Sequence, residues 1–217
     1  MSWNNRDEVL ERVTKNGFLL QFVDKIVRDD KDIVIAAVSQ AGLAIQFAAD
    51  CFRDNKEIGL IAVKQDGSAY KFLSDRLKND KDIINNVNDR YIFEYADKSF
   101  WKDRDNALVA VRKNGWMLRH VDIQDKEIVM VAVEQRGLAL IYADNKFKKD
   151  RDVIRVAINS DGCAIEYVDD SLKKEFALLA VKRDIRAYYY IDVSLQKDDV
   201  ILQELQNHRK ICFPNSY

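Results

Sequence analysis

Proline is nearly missing from this chain: among 217 residues there is one, Pro214. Proline breaks helix interiors, so its absence elsewhere leaves helices open along the whole length. Histidine is scarce as well, with His120 and His208 only, and no second histidine stands near either to build a nucleophile–base pair. The three cysteines, Cys51, Cys163 and Cys212, are scattered. They form neither a disulfide framework nor a metal-ligand spacing, and they imply buried thiols in a reducing, cytoplasmic compartment. No apolar run approaches the roughly 18 residues that a membrane span requires, and residues 1–8 lack the apolar core of a signal peptide. The seven glycines lie far apart and build no phosphate-cradling loop. A surplus of one charge is missing too. With 35 basic and 36 acidic side chains the net charge is −1, so nothing draws the chain as a whole to nucleic acid or an anionic membrane.

What is abundant is apolar residues, at 47%, alongside 33% charged ones. That suffices for a continuous core and excludes a disordered chain. The residues recur. Unit starts fall at Asn5, Asp30, Asn55, Asp80, Asp103, Asp125, Asp150 and Lys173, with spacings of 25, 25, 25, 23, 22, 25 and 23, and a ninth partial unit begins near Asp198. If each start is numbered position 0, six units place an aromatic or histidine at position 17: Phe22, Phe47, Phe72, His120, Tyr142 and Tyr167. Glycine recurs at position 12 in Gly17, Gly42, Gly67, Gly115, Gly137 and Gly162.

Each unit reads as two short helices. The leading Asp or Asn is an N-cap worth about 1 kcal/mol, and the acidic residue at position 2 faces the positive end of the helix dipole. An apolar stretch follows, as in Ile33–Val38 and Ile128–Val133. The glycine then ends the first helix in a left-handed conformation, a shorter second helix such as Leu43–Ala48 follows, and a polar connection closes the unit. The run Ile128–Val133 would also suit a buried strand. The cap in front, the recurrent alanine (Ala37, Ala62, Ala110, Ala132, Ala180) and the closing glycine favour the helix. The expectation is therefore an all-α chain: tandem two-helix repeats of about 25 residues over 5–197, stacked as an α-solenoid in a single array over 1–217, with a capping segment at 198–217. Irregular units suggest a bend near 85–125.

The pattern of Asp30 to Ala48, Asp-Lys-Asp-Ile-Val-x-x-Ala-Val-x-Gln-x-Gly-x-Ala-Ile-x-Phe-Ala, resembles the repeat known as domain of unknown function 4116, and the likeness runs from about Asn5 to Tyr190. Such repeats occur in bacteria, including intracellular ones, and in some algae and protists. The resemblance implies a repeat scaffold of the kind a bacterial effector or accessory protein would use, delivered without a signal peptide in the former case. It implies no chemistry.

Departures from the repeat are the candidate sites. Asn85, Asn86 and Asn88 stand in the fourth unit, where sister units are apolar and where the glycine is missing. They suggest either a degenerate, kinked unit or a polar groove. In the eighth unit Ile185 replaces glycine, and Tyr188-Tyr189-Tyr190 follows. Tyr189 occupies a position that holds Gln21, Gln46, Lys71, Arg119 and Glu166 elsewhere, which marks it as an exposed contact residue. Trp101 stands where Arg53, Lys78 and Lys148 follow an apolar residue, and it is expected at the surface for the same reason. Trp116 is expected in the core, Trp3 over the first unit's end, His120 as a packing residue and His208 in solvent. No catalytic, cofactor or metal site is expected, since caps and first turns account for the carboxylates. The function expected is a non-enzymatic protein-interaction scaffold. The alternative is RNA binding through Lys146, Lys148, Lys149 and Arg151, or through Lys173, Lys174, Lys182 and Arg183. Another protein is the expected partner, without membrane insertion.

Overall fold

The computed structural model describes residues 5–212, and side chains over 5–207. Every regular element among the described residues is helical. The chain groups into two compact units, 1–109 and 110–217.

In the first unit the helices that open successive repeats are α1 (Arg6–Lys15), α2 (Lys31–Gln40), α3 (Lys56–Gln65) and α4 (Lys81–Asn86). In the second they are α5 (Lys126–Gln135), α6 (Arg151–Ser160), α7 (Asp170–Arg183) and the terminal α8 (Asp199–Cys212). The helix Arg104–Lys113 spans the boundary. N-caps form as the sequence requires: Asp30 accepts from the Asp32 and Ile33 amides, and Asp150 from those of Asp152 and Val153. Position 4 of one repeat packs on position 3 of the next, since a Cβ built on Gly59 would stand 3.3 Å from Ile83 Cδ1. The apolar stretch is accordingly buried on both sides: Ile33, Val34, Ala37 and Val38 are wholly inaccessible, as are Ile128, Val129, Ala132 and Val133.

The second element of every repeat but the fourth is a six-residue 3-10 turn rather than an α-helix: Gly17–Phe22, Gly42–Phe47, Gly67–Phe72, Gly115–His120, Gly137–Tyr142, Gly162–Tyr167 and Ile185–Tyr190. Its start is fixed by the residue before it, which leaves the helix in an extended conformation, as Asn16 does at φ −151°, ψ 101°. Where that residue is Asn or Asp its side chain caps the turn, as Asp161 does for Cys163 N and Asn114 for Trp116 N. The polar connection mostly carries a third element. This is a four-residue helix at Lys25–Arg28, Asp50–Arg53 and Asp75–Lys78, and a 3-10 turn at Phe100–Lys102, Phe147–Lys149 and Leu195–Lys197.

The glycines act differently from the expectation. No described residue has positive φ. Position 12 holds glycine because the next repeat's backbone leaves no room. A Cβ at Gly162 would stand 2.6 Å from the Ala180 carbonyl oxygen, and Gly17, Gly42, Gly115 and Gly137 approach the position-7 alanines Ala37, Ala62, Ala132 and Ala157 more closely still. The amides of Gly17 and Gly42 donate to Gln40 Oε1 and Gln65 Oε1 of the following repeat, both at 2.6 Å. Gln65 Nε2 returns a bond to the Gln40 carbonyl at 3.2 Å. Ser160 serves both purposes in the second unit, accepting from Gly137 N and donating to Glu134 O at 3.1 Å.

A second inter-repeat device is a row of ion pairs. The cation at position 1 reaches positions 0 and 2 of the next repeat: Arg6 to Asp30 and Asp32 at 2.6 and 2.7 Å, Lys56 to Asp80 and Asp82 at 2.9 and 2.6 Å, Lys126 to Asp150 and Asp152 at 2.9 and 2.7 Å. Lys31–Glu57 and Arg151–Glu175 extend the row at 2.6 and 3.1 Å. These pairs are exposed, so each contributes at most about 1 kcal/mol and chiefly fixes register.

Two outcomes follow in denaturant titrations. Gly137→Ala should lose about 2 kcal/mol or more, because its Cβ meets backbone that cannot step aside. Gly67→Ala, whose Cβ meets the Tyr91 ring at 3.2 Å, should lose markedly less; equal losses would restore the helix-stop role. The second concerns pH. The hydrogen bond from Arg6 holds the Asp30 carboxyl below its ordinary 3.8. Its contribution is therefore complete above that value and disappears as pH falls through the lowered folded value. The stability gap between wild type and Arg6→Ala should be present at neutral pH and close under acid. A gap that persists would mean Arg6 acts by packing.

Candidate functional site

The surface that varies between repeats is carried by the 3-10 turns. In each unit neighbouring turns pack side by side: Gly17–Phe22 on Gly42–Phe47 and that on Gly67–Phe72; Gly115–His120 on Gly137–Tyr142, then Gly162–Tyr167, then Ile185–Tyr190. Positions 14 and 15 point inward, and Ala44, Ile45, Ala139, Leu140, Ala164 and Ile165 are wholly buried. Position 17 does not share their burial. Phe22 is 55% exposed, Tyr142 37% and Tyr190 40%, with Phe47, Phe72, His120 and Tyr167 partly exposed. The aromatic residue that recurs most regularly in the sequence is therefore a surface rung.

The rungs communicate along each ladder. In the first unit the Lys71 ammonium lies 4.7 Å from the Phe72 ring centre and 6.0 Å from that of Tyr95. In the second, Trp116 meets Tyr142 edge-on at 5.9 Å. Burial pushes the Tyr167 hydroxyl above its ordinary value, and Glu166 and the neighbouring Tyr190 and Tyr142 hydroxyls add to the effect. His120 is likewise part-buried, and burial, with Arg119 beside it, holds its imidazole below the usual histidine value.

The candidates named from sequence fall out differently. Tyr189 is exposed, at 77%, and stands edge-on to Tyr188 at 5.7 Å. With Ile185, Tyr188, Leu202, Leu205 and Gln206 it lines a groove of about 410 Å³ at the C-terminal end. Leu202 stands at position 4, which is wholly or nearly buried in earlier repeats, yet here it is 37% exposed. The helix that carries it, Asp199–Cys212, runs through the position at which the other repeats turn.

Trp101 is not at the surface. It is buried, 9% exposed, with its ring edge-on to Phe100 at 4.8 Å. The comparison with lysines misled because those lysines are themselves part-buried: the Lys78 side chain is only 16% exposed, its stem lying along apolar surface while the charge reaches out. Trp116, expected in the core, is half-exposed, as position 13 generally is. Asn85, Asn86 and Asn88 are exposed. The fourth repeat's helix stops after Asn86, whose amide donates to the Asp82 carbonyl at 2.7 Å, and Asn88 caps a new helix, Asp89–Tyr95. Two of these asparagines thus serve the break between helices, and the structure gathers the three into no pocket. Cys51, expected to be buried, is exposed, and Cys163 is buried. The side chains of Trp3, His208 and Cys212 lie outside the described residues.

Asp161, Cys163 and Asp184 bring possible ligand atoms within 4.8 Å of one another. Asp161 caps the turn holding Cys163, and Asp184 caps the next while pairing with Arg186 at 2.6 Å. Burial, then these two aspartates, pushes the Cys163 thiol up to about 11, which disfavours the thiolate a metal would need. The buried Asn106, missed in the sequence, stands at apolar position 3 and donates to Asn79 Oδ1 at 3.2 Å. Its replacement of an isoleucine is the signal that would have found it. No helix among the described residues is long and apolar enough to cross a membrane.

Paired helices and stacked turns repeated along the chain define an α-helical tandem-repeat protein. Four matches to the family "Domain of unknown function (DUF4116)" tile residues 5–53, 55–87, 88–124 and 125–173, and the chain belongs to that family. The first and last of these matches each span two of the repeats described above, and the break at 87/88 coincides with the helix break between Asn86 and Asn88. No curated protein and no solved structure matches the chain.

The burial pattern reverses one expectation. Trp101→Ala should cost about 3 kcal/mol or more in a thermal or denaturant melt, while Tyr189→Ala should stay within about 0.5 kcal/mol of wild type. Equal effects would contradict the burial difference between the two rings.

Proposed function

We propose that this protein is a non-catalytic protein-interaction scaffold of the cytoplasm, in a bacterial effector or accessory role, whose docking surface is the ladder of position-17 rings. One observation carries the reading: rings that recur as regularly as core residues are held at the surface on packed turns. Surface aromatics on a rigid frame favour interfaces, because they offer large contact area with little rotamer entropy to lose. The carboxylates closest to forming a site, Asp161 and Asp184, are already occupied as caps, which favours a binding role over catalysis.

RNA binding is less favoured, because four of the eight cations it would use are already engaged. Lys148 donates to the Ile141 carbonyl, Lys149 pairs with Asp169, Arg151 with Glu175 and Lys173 with Asp170. Phosphate contacts would have to displace these partners.

The test is affinity capture with the full chain as bait, quantified by mass spectrometry, beside a Tyr142→Ala/Tyr167→Ala/Tyr190→Ala triple variant. A protein partner retained by wild type and reduced about tenfold or more with the variant is expected. Equal capture by both baits, with circular dichroism unchanged, would refute the ladder as the docking surface.

A further inference from the structure

Four repeats begin with aspartate at both position 0 and position 2. In three of them the cation of the preceding repeat bridges the two carboxylates at 2.6 to 2.9 Å, as Arg6, Lys56 and Lys126 do. The fifth repeat is the exception. Lys81 pairs with Asp105 at 2.5 Å, and among the described residues no cation reaches Asp103. Asp103 is exposed where Asp30, Asp80 and Asp150 are half-buried. A pocket of about 370 Å³ opens here, lined by Asn79, Lys81, Ser99, Asp103, Asp105 and Asn106, all within the first unit.

Asn106 is the buried member of this set, at 4% exposed. It stands at position 3, which holds Ile33, Ile58, Ile83, Ile128 and Val153 in sister repeats. A chain of donors fixes the orientation of its amide. Asn79 Nδ2 donates to the Asp75 carbonyl at 2.9 Å, so Asn79 Oδ1 is the end that meets Asn106, and Asn106 Nδ2 donates to it at 3.2 Å. Asn106 Oδ1 is left with no donor among the described residues. A buried amide oxygen costs free energy unless something donates to it, and this one belongs to a residue that lines a pocket. Asp103 offers a second acceptor. One of its carboxylate oxygens takes the Asn106 backbone amide at 2.9 Å, which leaves the other unengaged. The Ser99 hydroxyl gives its proton to Asp97 at 2.5 Å, so its oxygen is a third acceptor.

We infer that this pocket binds a primary ammonium group, carried by a small amine or by a lysine side chain of a partner. An ammonium has three donors, one for each of these oxygens. The charges agree: two carboxylates face one lysine, which leaves one negative charge to be matched. Lys56 and Lys126 show the same chemistry within the chain, an ammonium held by the carboxylate at position 0. A guanidinium is suited to a carboxylate with both oxygens free, which Asp103 does not offer. A calcium ion takes roughly six to eight oxygens and would stand beside the Lys81 charge. None of the pocket residues belongs to the ring ladder, so the inference goes beyond the scaffold reading and is tested apart from it.

The experiment is an NMR titration of the full chain that follows the Ser99 backbone amide and the Asn106 side-chain amide. Putrescine and Nα-acetyl-lysine amide supply the ammonium from the two sources, with tetramethylammonium, guanidinium and calcium chlorides as comparisons. Both primary amines should shift these resonances with dissociation constants in the millimolar range, and the tighter of the two tells a free amine from a lysine side chain. Tetramethylammonium, which has no N–H donor, and guanidinium should bind about tenfold more weakly or worse. Two variants copy sister repeats: Asn106→Ile restores the usual residue at position 3, and Asp103→Asn keeps a cap of the kind Asn55 provides. Each should hold wild-type circular dichroism and weaken the amines, read at Ser99, by about tenfold or more. If one variant fails to fold, the other carries the test. Absence of any shift overturns the inference. So does undiminished binding in a folded variant, or tighter binding of calcium or tetramethylammonium than of the amines.

Discussion

The approach of the position-12 glycine to the carbonyl of the next repeat's alanine sets the terms for everything else. It brings the end of one helix and the start of one 3-10 turn against the neighbouring helix with no side chain between them. The alanine at position 7 is small for the same reason. The glycine amide, which would be stranded by so close a contact, is met by Gln40, Gln65 or Ser160. A buried amide left without an acceptor would cost about 1–3 kcal/mol, so the polar residue at position 10 belongs to the same device. The ion-pair row at the other end of the helices is weaker and exposed. Together the two ends leave a repeat one register in which to stack.

That register gives the proposed binding surface its form. Neighbouring turns pack on one another, so the position-17 rings follow one another along each unit. The variable positions beside them then set chemistry: Lys71 over aromatic rings in the first unit, Glu166 and the aspartate row in the second. Buried positions are repeated because they face copies of themselves; exposed ones are free to differ.

Irregular repeats obey the same constraint. In the fourth, the helix stops after Asn86, so the Ala carbonyl that crowds the other glycines is missing in front of Gly67 and Tyr91 stands there instead. After the repeat in which isoleucine, Ile185, replaces glycine, the helix Asp199–Cys212 continues through the position at which the other repeats turn. The first repeat is finished differently. Positions 3 and 7, apolar in nearly every other repeat, are Glu8 and Arg12, which pair with each other at 3.5 Å.

Period, unit boundaries, N-caps and the all-helical class were legible in the sequence, because each depends on residue types at short, constant offsets. The tertiary structure decided what those residues face. Gly42 looked like a helix stop, and only the neighbouring Ala62 carbonyl reveals a packing contact; sequence contains no distance between repeats. His120 looked like a packing residue because it shares position 17 with aromatics, yet the rings at that position are partly or largely exposed on the 3-10 turns. Trp101 looked exposed because sister positions hold lysine, and burial of a lysine stem is invisible until the surface it lies on is built. The cation at position 1 and the acid at position 2 were plain in every repeat, but their pairing runs between repeats. Local offsets fix local structure; which side of a residue is covered is settled by its neighbour in the stack.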